Sequence, residues 1–533
     1  MADWTDHLIM MPILLPLAAS AVMLLFDERR RGAKRMIAIA TALALLAIST
    51  ALLHRVMQPD HEFASLARIY PLGDWPAPFG ITLVLDRLSA VMLVLTSILG
   101  VTSLLFASAG WDGAGPRFHA LFLLQLMGLN GAFLTGDLFN LFVFFELLLA
   151  ASYGLLLHGA GTARVTAGLH YIAINITASL LFLIGASLIY GVTGTLNIAD
   201  LAIRIPAVAS GDVMILQSGI GILGIAFFIK AGMWPLGFWL PPTYSAATPP
   251  VAALFAILSK VGVYAIRRVW MLVPGEAAGG AAHFGDEWLR FGGMATIAFG
   301  TIGVLSSRTL SRLAGFSLMI SSGTLLATIG SGQAGLAGAL FYLVSSTLAV
   351  SAFYLLIELI GRSDADAGAQ APADPVFDDE YAGAVEENGA ADIGVVIPAT
   401  LAILGGGFVF CALLLSGLPP LSGFIGKFAI IAGLLGLDGP IGASTWTLIA
   451  LIIVSGLAII IATSRAGIDL IWTPDQLHRD LRLAEAMPIG ILLTLCLGLT
   501  IFAGPVMSHM EKIARSLDPH TIHGPAIPAR AAP

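Results

Sequence analysis

Apolar runs long enough to cross a lipid bilayer recur along this sequence from one end to the other. A helical span needs roughly 20 mostly apolar residues, because each residue adds about 1.5 Å across a core about 30 Å thick. Candidate spans fall at 7–26, 36–56, 81–107, 119–136, 137–158, 165–193, 214–234, 249–271, 291–307, 310–330, 336–360, 396–417, 444–464 and 487–507. A further apolar piece, 421–436, follows Pro419-Pro420 and reads as the second half of the twelfth span, which gives fourteen spans in all. The scarcity of charge agrees: 11% of the 533 residues are charged, against about 25% in a soluble protein. So few charges cannot cover a water-facing surface, so most of the outside must face lipid. The expected fold is all-α, a polytopic protein of the cell membrane.

Several function classes drop out. The net charge is −7 and the acids sit in a few loops, with no basic patch to hold nucleic acid. Cys411 and Cys496 both lie in apolar runs and read as small core residues rather than a disulfide or a metal pair. No CxxC, HExxH or P-loop occurs, so neither a cofactor nor a metal is expected. The first apolar run, Ile9 to Phe26, is followed by basic residues rather than a small-residue cleavage site, and reads as a retained helix.

Lys and Arg in the loops set an expected orientation. The loop from Asp27 to Arg35, DERRRGAKR, is the most basic and should be cytoplasmic. Alternation then puts both termini on the outer face. Residues 361–394 hold DAD, DDE and EEN with Arg362 as the sole cation, a polar cytoplasmic connection between two bundles. The tail after Met507 is short and polar and gives no sign of another amphipathic helix.

The informative residues are charges inside the apolar runs. An ionisable group at mid-bilayer costs at least about 2.5–3.5 kcal/mol, so it needs partners, water or a function. Glu146 lies in NLFVFFELLLAASYG, Lys230 in FFIKAGMWPLGFWLPP, Lys260 in FAILSKVGVYAIRR and Lys427 in GLPPLSGFIGKFAII. A structural ion pair would account for Glu146 and one lysine but leaves two lysines over. Buried lysines lined up with water between them can pass protons, and a proton relay is the expectation. Secondary candidates carry bland readings too. Asp86 and Arg87 could be a local pair or interfacial anchors. Asp137 opens the fifth span, where a helix cap is the default. His170, beside Tyr171 in the sixth span, could join a water wire or be a satisfied core histidine.

Prolines interrupt two spans. Pro235, Pro241 and Pro242 follow Lys230, and Pro419 and Pro420 precede Lys427. Broken helices in corresponding positions of two halves point to an inverted repeat. The seventh and twelfth spans are five apart, so two units of five helices, an odd number, must enter the membrane from opposite sides. The expected division is 1–118, three leading helices; 119–271, the first unit; 291–472, the second; and 473–533, a last helix and polar tail. The halves differ chemically: the tenth span has no acid matching Glu146, and Ser455 stands near the place of Lys260 in the thirteenth.

These stretches resemble the antiporter-like subunits of respiratory complex I and of multisubunit sodium/proton antiporters. GDLFNLFVFFELLLAASYGLLLHG is similar to the family's fifth helix and puts its glutamate at Glu146. FFIKAGMWPLGFWLPPTYSAATPPVAALFAILSKVGVY is similar to its seventh and eighth helices and puts the lysines at Lys230 and Lys260, and GLPPLSGFIGKF puts the last at Lys427. WLPPTYSAATPP and SRAGIDLIW favour the D-type group of Mrp antiporter subunits within that family. The resemblance implies a proton-translocating subunit, with Glu146 and Lys230 as a switchable pair, Lys260 as relay and Lys427 as terminal donor or acceptor. It also implies partner subunits in a hetero-oligomeric membrane complex, with protons and sodium as the transported ions. The runner-up is a subunit of a redox-driven proton pump. One departure is Ser345, where relatives often carry histidine on the eleventh helix, so that hydroxyls or water would have to link the halves.

Overall fold

The computed structural model describes residues 4–58, 67–75, 80–270, 285–370, 399–436, 441–471 and 482–517. Helix after helix follows: α1 (Met11–Leu24), α2 (Arg31–Met57), α3 (Arg87–Ala107), α4 (Phe118–Leu134), α5 (Leu138–Leu156) and α6 (Thr162–Thr193). Next come α7 (Ile198–Arg204), α8 (Val213–Ala231), α9 (Leu240–Ala246), α10 (Pro249–Phe255), α11 (Leu258–Trp270), α12 (Asp286–Ser306) and α13 (Leu310–Ile329). The chain continues through α14 (Leu336–Gln370), α15 (Ala399–Ser416), α16 (Ser422–Leu435), α17 (Ala443–Ile471), α18 (Leu483–Ile501) and α19 (Ala503–Ser516). Among the described residues eleven spans are long and apolar enough to cross a membrane, α10 and α11 counting as one, and α1, α4, α15 and α16 are shorter apolar helices. The chain is therefore an all-helical polytopic membrane protein apart from one small hairpin.

That hairpin corrects the expected third span. Residues 82–86 form β2 (Thr82–Asp86), paired antiparallel with β1 (Ala67–Pro71), and the helix starts at Arg87. Asp86 stops the strand and caps the helix. Its carboxylate accepts from the Ser89 N–H at 2.7 Å while the Ser89 hydroxyl accepts from the Asp86 N–H at 2.9 Å. Its charge is met by Arg268 at 2.6 Å, not by neighbouring Arg87. The Arg268 Nε donates to the Tyr264 hydroxyl, which donates to the Phe133 carbonyl, so α3, α4 and α11 are tied together at one end.

The tail reading is also corrected. α19 is an amphipathic helix with Met510 and Ile513 buried, and Leu517 buried just beyond its end. Arg267 donates to the Leu517 carbonyl at 2.8 Å and pins that end. The polar connection expected at 361–394 begins as a continuation of α14 to Gln370; positions 371–394 lie outside the described residues.

The basic loop is partly neutralised. Lys34 pairs with Glu28 at 2.7 Å and Arg35 with Asp112 at 2.7 Å. The Lys34 hydrogen bond holds the Glu28 carboxyl below its usual range. Burial alone would raise Asp112, but hydrogen bonds from His119 and Arg35 outweigh it and hold this carboxyl low as well.

Small residues fix how the core helices cross. A side chain on Gly338 would strike Ala429 and Ile430, one on Gly426 would strike Tyr342, and Gly335 meets Gly433. The pairs rise on α14 as they fall on α16, so these helices pack antiparallel with backbones in near contact. Among the described residues the α10–α11 span, α13 and α14 are the most enclosed, 89% buried, whereas α18 is 28% buried. The charged residues of interest are arranged about this centre.

Candidate functional site: a row of buried charges and hydroxyls

The row starts on α5. Asp137 caps that helix by accepting from the Asn140 N–H at 2.9 Å, which is the bland reading of this acid. Glu146 lies about two and a half turns further in and takes a hydrogen bond from the Ser179 hydroxyl of α6. Lys230 lies in the last turn of α8, where a cation suits the helix dipole. Its ammonium stands 5.5 Å from the centre of the Phe145 ring, the residue before Glu146. Among the described residues no ion pair joins Glu146 to Lys230. The pair expected to switch is present as neighbours, not as a closed contact. Phe145, Phe182 and Phe227 meet edge-to-face at 5.4 to 6.2 Å and bring α5, α6 and α8 together around it.

The first break follows at once. Gly232 turns the chain at φ 74°, a conformation only glycine adopts freely. The Ile229 carbonyl accepts twice there, from the Gly232 N–H at 3.1 Å and from the Trp239 indole at 3.2 Å. The Trp234 N–H reaches the Thr296 hydroxyl of α12 at 2.9 Å. Backbone groups freed by the break thus find partners inside the protein, as burial in lipid requires.

α11 passes this point closely. A side chain on Gly262 would run into the backbone of Lys230 and Ala231. Lys260 is one half-turn earlier and 0% exposed. Its span is interrupted as well, at Ala256–Ile257 between α10 and α11, where no proline marks the place and the sequence reading missed it. The Lys260 ammonium donates to the Ser321 hydroxyl at 2.8 Å and the Ser322 hydroxyl at 3.2 Å, both on α13. Ser321 shares a hydrogen bond with Ser346 of α14 at 2.9 Å.

On the other side of α14, Ser345 shares a hydrogen bond with Ser422 at 2.8 Å. Ser422 opens α16, just past the second break. Lys427, 5% exposed, donates at 2.8 Å to the carbonyl of Ser416, the last residue of α15. Both breaks carry the same local sequence, Gly-x-x-Pro-Leu: Gly232 to Leu236 and Gly417 to Leu421, and both glycines have φ 74°.

Two expected candidates stand apart. His170 is exposed on α6 and bonds the Thr166 carbonyl of its own helix at 2.9 Å, so it is neither a core histidine nor beside the row. Asp86 belongs to the tie with Arg268 described above. Sequence reasoning missed Ser179, Ser321, Ser322 and Ser346. For the last three the signal was a cluster of hydroxyls in otherwise apolar runs, SLMISSGT and LVSST, whereas Ser179 stands in NITASLL with no such cluster of serines.

Comparison with known proteins gives a consistent frame. Residues 135–458 match the family described as NADH:quinone oxidoreductase/Mrp antiporter, transmembrane. The D subunit of a probable K(+)/H(+) antiporter from Rhizobium meliloti (strain 1021) is 53% identical over 97% of this chain and 96% of its own. The D subunit of a Na(+)/H(+) antiporter from Alkalihalophilus pseudofirmus is 33% identical over 80% of each chain. Among solved structures, a chain of the Mrp complex from Dietzia sp. DQ12-45-1b superposes with a TM-score of 0.80 at 24% identity, over 98% of this chain and 99% of that one. At that identity the likeness speaks for the fold.

Proposed function

The chain belongs to the family of Mrp antiporter D subunits, within the NADH:quinone oxidoreductase/Mrp antiporter membrane proteins, and from that premise we propose that it carries protons along Glu146, Lys230, Lys260 and Lys427. It is a membrane subunit of a multisubunit cation/proton antiporter, a transporter rather than a catalytic enzyme. In the proposed cycle Glu146 favours the charged form of Lys230 when the two approach. When they part, Lys230 loses that support and gives its proton to Lys260. Lys427 then exchanges with one face of the membrane.

The observation that carries this reading is Lys260. It is wholly enclosed, and its ammonium is met by two hydroxyls. Such a site keeps a charge only at a cost, and a group whose charge is that costly suits transfer.

The finer architecture belongs to the same proposal. Taking α15 with α16 and α10 with α11 as interrupted spans gives the fourteen expected from sequence. The shared Gly-x-x-Pro-Leu at both breaks supports inverted units over 119–271 and 291–472. So does the matching close approach of Gly262 to Ala231 and of Gly456 to Ser416. Both termini on the outer face complete the reading. For the cation, the 53%-identical relative is named for potassium and the 33%-identical one for sodium. Sodium, expected from sequence, is therefore one of two ions to assay.

The test is Lys260→Ala in the assembled complex, with cation-driven proton release measured in everted membrane vesicles. Exchange should fall by about 100-fold or more, the scale of a positioned proton-transfer group. An assembled Lys260→Ala complex that exchanges at the parental rate would remove the relay.

A further inference from the structure

The charged groups fall into two sets, with α14 between them. On one side Lys260 bonds Ser321 and Ser321 bonds Ser346. On the other Ser345 bonds Ser422, at the start of the helix that carries Lys427. Ser345 and Ser346 are neighbours in sequence, yet one reaches α16 and the other α13. All of Ser321, Ser345, Ser346 and Ser422 are buried. Most hydroxyls in these helices turn back to a carbonyl of their own helix, as Thr324 does to Ile320 and Thr347 to Leu343. The pairs at α14 bond across helices at 2.8 and 2.9 Å, and Ser346 also has a longer contact of 3.4 Å to the Leu343 carbonyl of its own helix.

We propose that Ser345 and Ser346 form a hydroxyl bridge over which protons cross between the Lys260 side and the Lys427 side. The proposal rests on the relay described above and names the route between its halves. A proton leaves the Lys260 ammonium for the Ser321 oxygen as Ser321 hands its own proton to Ser346. Each oxygen gains one O–H bond and loses one, so the bridge stores no charge. Water completes the step from Ser346 to Ser345, and the step from Ser422 to Lys427. After each passage the hydroxyls point the other way and must rotate back before the next. A serine cannot hold a proton as a lysine or histidine can. The bridge therefore makes Lys260 and Lys427 trade protons in one concerted event, not through a charged stop.

Position on α14 supports this assignment. Gly338, Tyr342 and Ser345 lie along the stripe that meets Ile430, Gly426 and Ser422 of α16. The contact is backbone-close along its length, and Ser345 and Ser422 put hydroxyls where the other contacts are small or apolar. Close approach of the two backbones asks only for small residues, as Gly335, Gly338, Gly426 and Gly433 show along the same contact, and does not ask for polar atoms.

Ser345→Ala and Ser346→Ala in the full complex, measured as cation-driven proton release from everted vesicles, test the bridge. Each should slow exchange about five- to tenfold, the effect of one lost hydrogen bond in the transfer path. Ser345→Thr and Ser346→Thr, which keep a hydroxyl, should restore most of the rate. Ser345→Cys serves if an alanine variant fails to assemble, and should also be slow because a thiol is a weak donor. Slowing in heavy water should be larger in the alanine variants than in the parent. Alanine variants that assemble and exchange at the parental rate, or threonine variants as slow as alanine, would overturn the bridge. If Lys260→Ala abolishes exchange in the same assay while the serine variants are normal, the bridge alone falls. If Lys260→Ala exchanges normally, the relay falls and the bridge with it.

Discussion

The two broken regions share a backbone and differ in chemistry. Each ends a helix at a glycine with φ 74° and continues x-x-Pro-Leu. At the first break the lysine comes before the glycine, half-buried, beside an aromatic ring and near the carboxylate of Glu146. At the second it comes after the prolines, nearly enclosed, and donates to the carbonyl of Ser416 at the end of α15. A carboxylate can gain or lose its own charge and can move, whereas a carbonyl at a helix end is a fixed partial charge. Under the proposed relay, one break would switch and the other would hold. The difference teaches that the interruption itself is generic: it repeats one backbone geometry, and the charged residue set beside it differs.

The largest effect expected from this contrast comes from removing the switch. Glu146→Gln keeps the shape and the hydrogen-bond reach to Ser179 but cannot ionise. In the assembled complex, exchange should drop by about 100-fold or more. An assembled Glu146→Gln complex with ordinary exchange would mean that the first break, like the second, works without an acid. The next effect comes from Lys427→Gln. An amide there can still donate to the Ser416 carbonyl, so only the charge is lost. Exchange should fall by about tenfold or more while assembly stays intact. Lys427→Met removes the donor too and strands a buried carbonyl, so it should also weaken the protein by about 1–3 kcal/mol. Equal stability in the two variants, measured by thermal unfolding in detergent, would show that the carbonyl contact does not hold the lysine.

How far the sequence showed this arrangement depends on the kind of residue. Lysine or glutamate inside an apolar run is conspicuous because burial is costly there, and all four candidates stand out without coordinates. The breaks were visible through proline, but the interruption at Ala256–Ile257 was not, because neither residue is a helix breaker. Serine is ambiguous: within a membrane helix it bonds its own backbone as readily as a neighbour, and Ser97 here does both. Ser179, Ser321 and Ser346 could not be assigned until the helices were packed. The hairpin was hidden because Ile81 to Leu85 is as apolar as the helix it precedes. α19 was hidden because Glu511, Lys512 and Arg515 dilute the stripe of Met510, Ile513 and Leu517. Asp86 and Arg87 looked paired because they are adjacent, yet the closer charge lies on α11.

The smallest effect gives the sharpest comparison, because it changes one methyl group at equivalent places. Alanine at Gly232 or Gly417 must adopt φ 74°, which costs about 1 kcal/mol in each case. The added carbons meet different neighbours. At Gly232 the Cβ would come within 2.7 Å of the Leu240 Cδ1, an apolar tip that can turn aside. At Gly417 it would come within 2.7 Å of the Lys427 Cδ and 3.2 Å of its Nζ, pushing the lysine off the Ser416 carbonyl. The two variants should lose similar stability. Exchange should slow about two- to fivefold further in Gly417→Ala than in Gly232→Ala, which corresponds to a displaced but not lost ammonium. If the two slow exchange alike, the glycines act only on the backbone, and the distinction between a break that switches and a break that holds loses its support at this position.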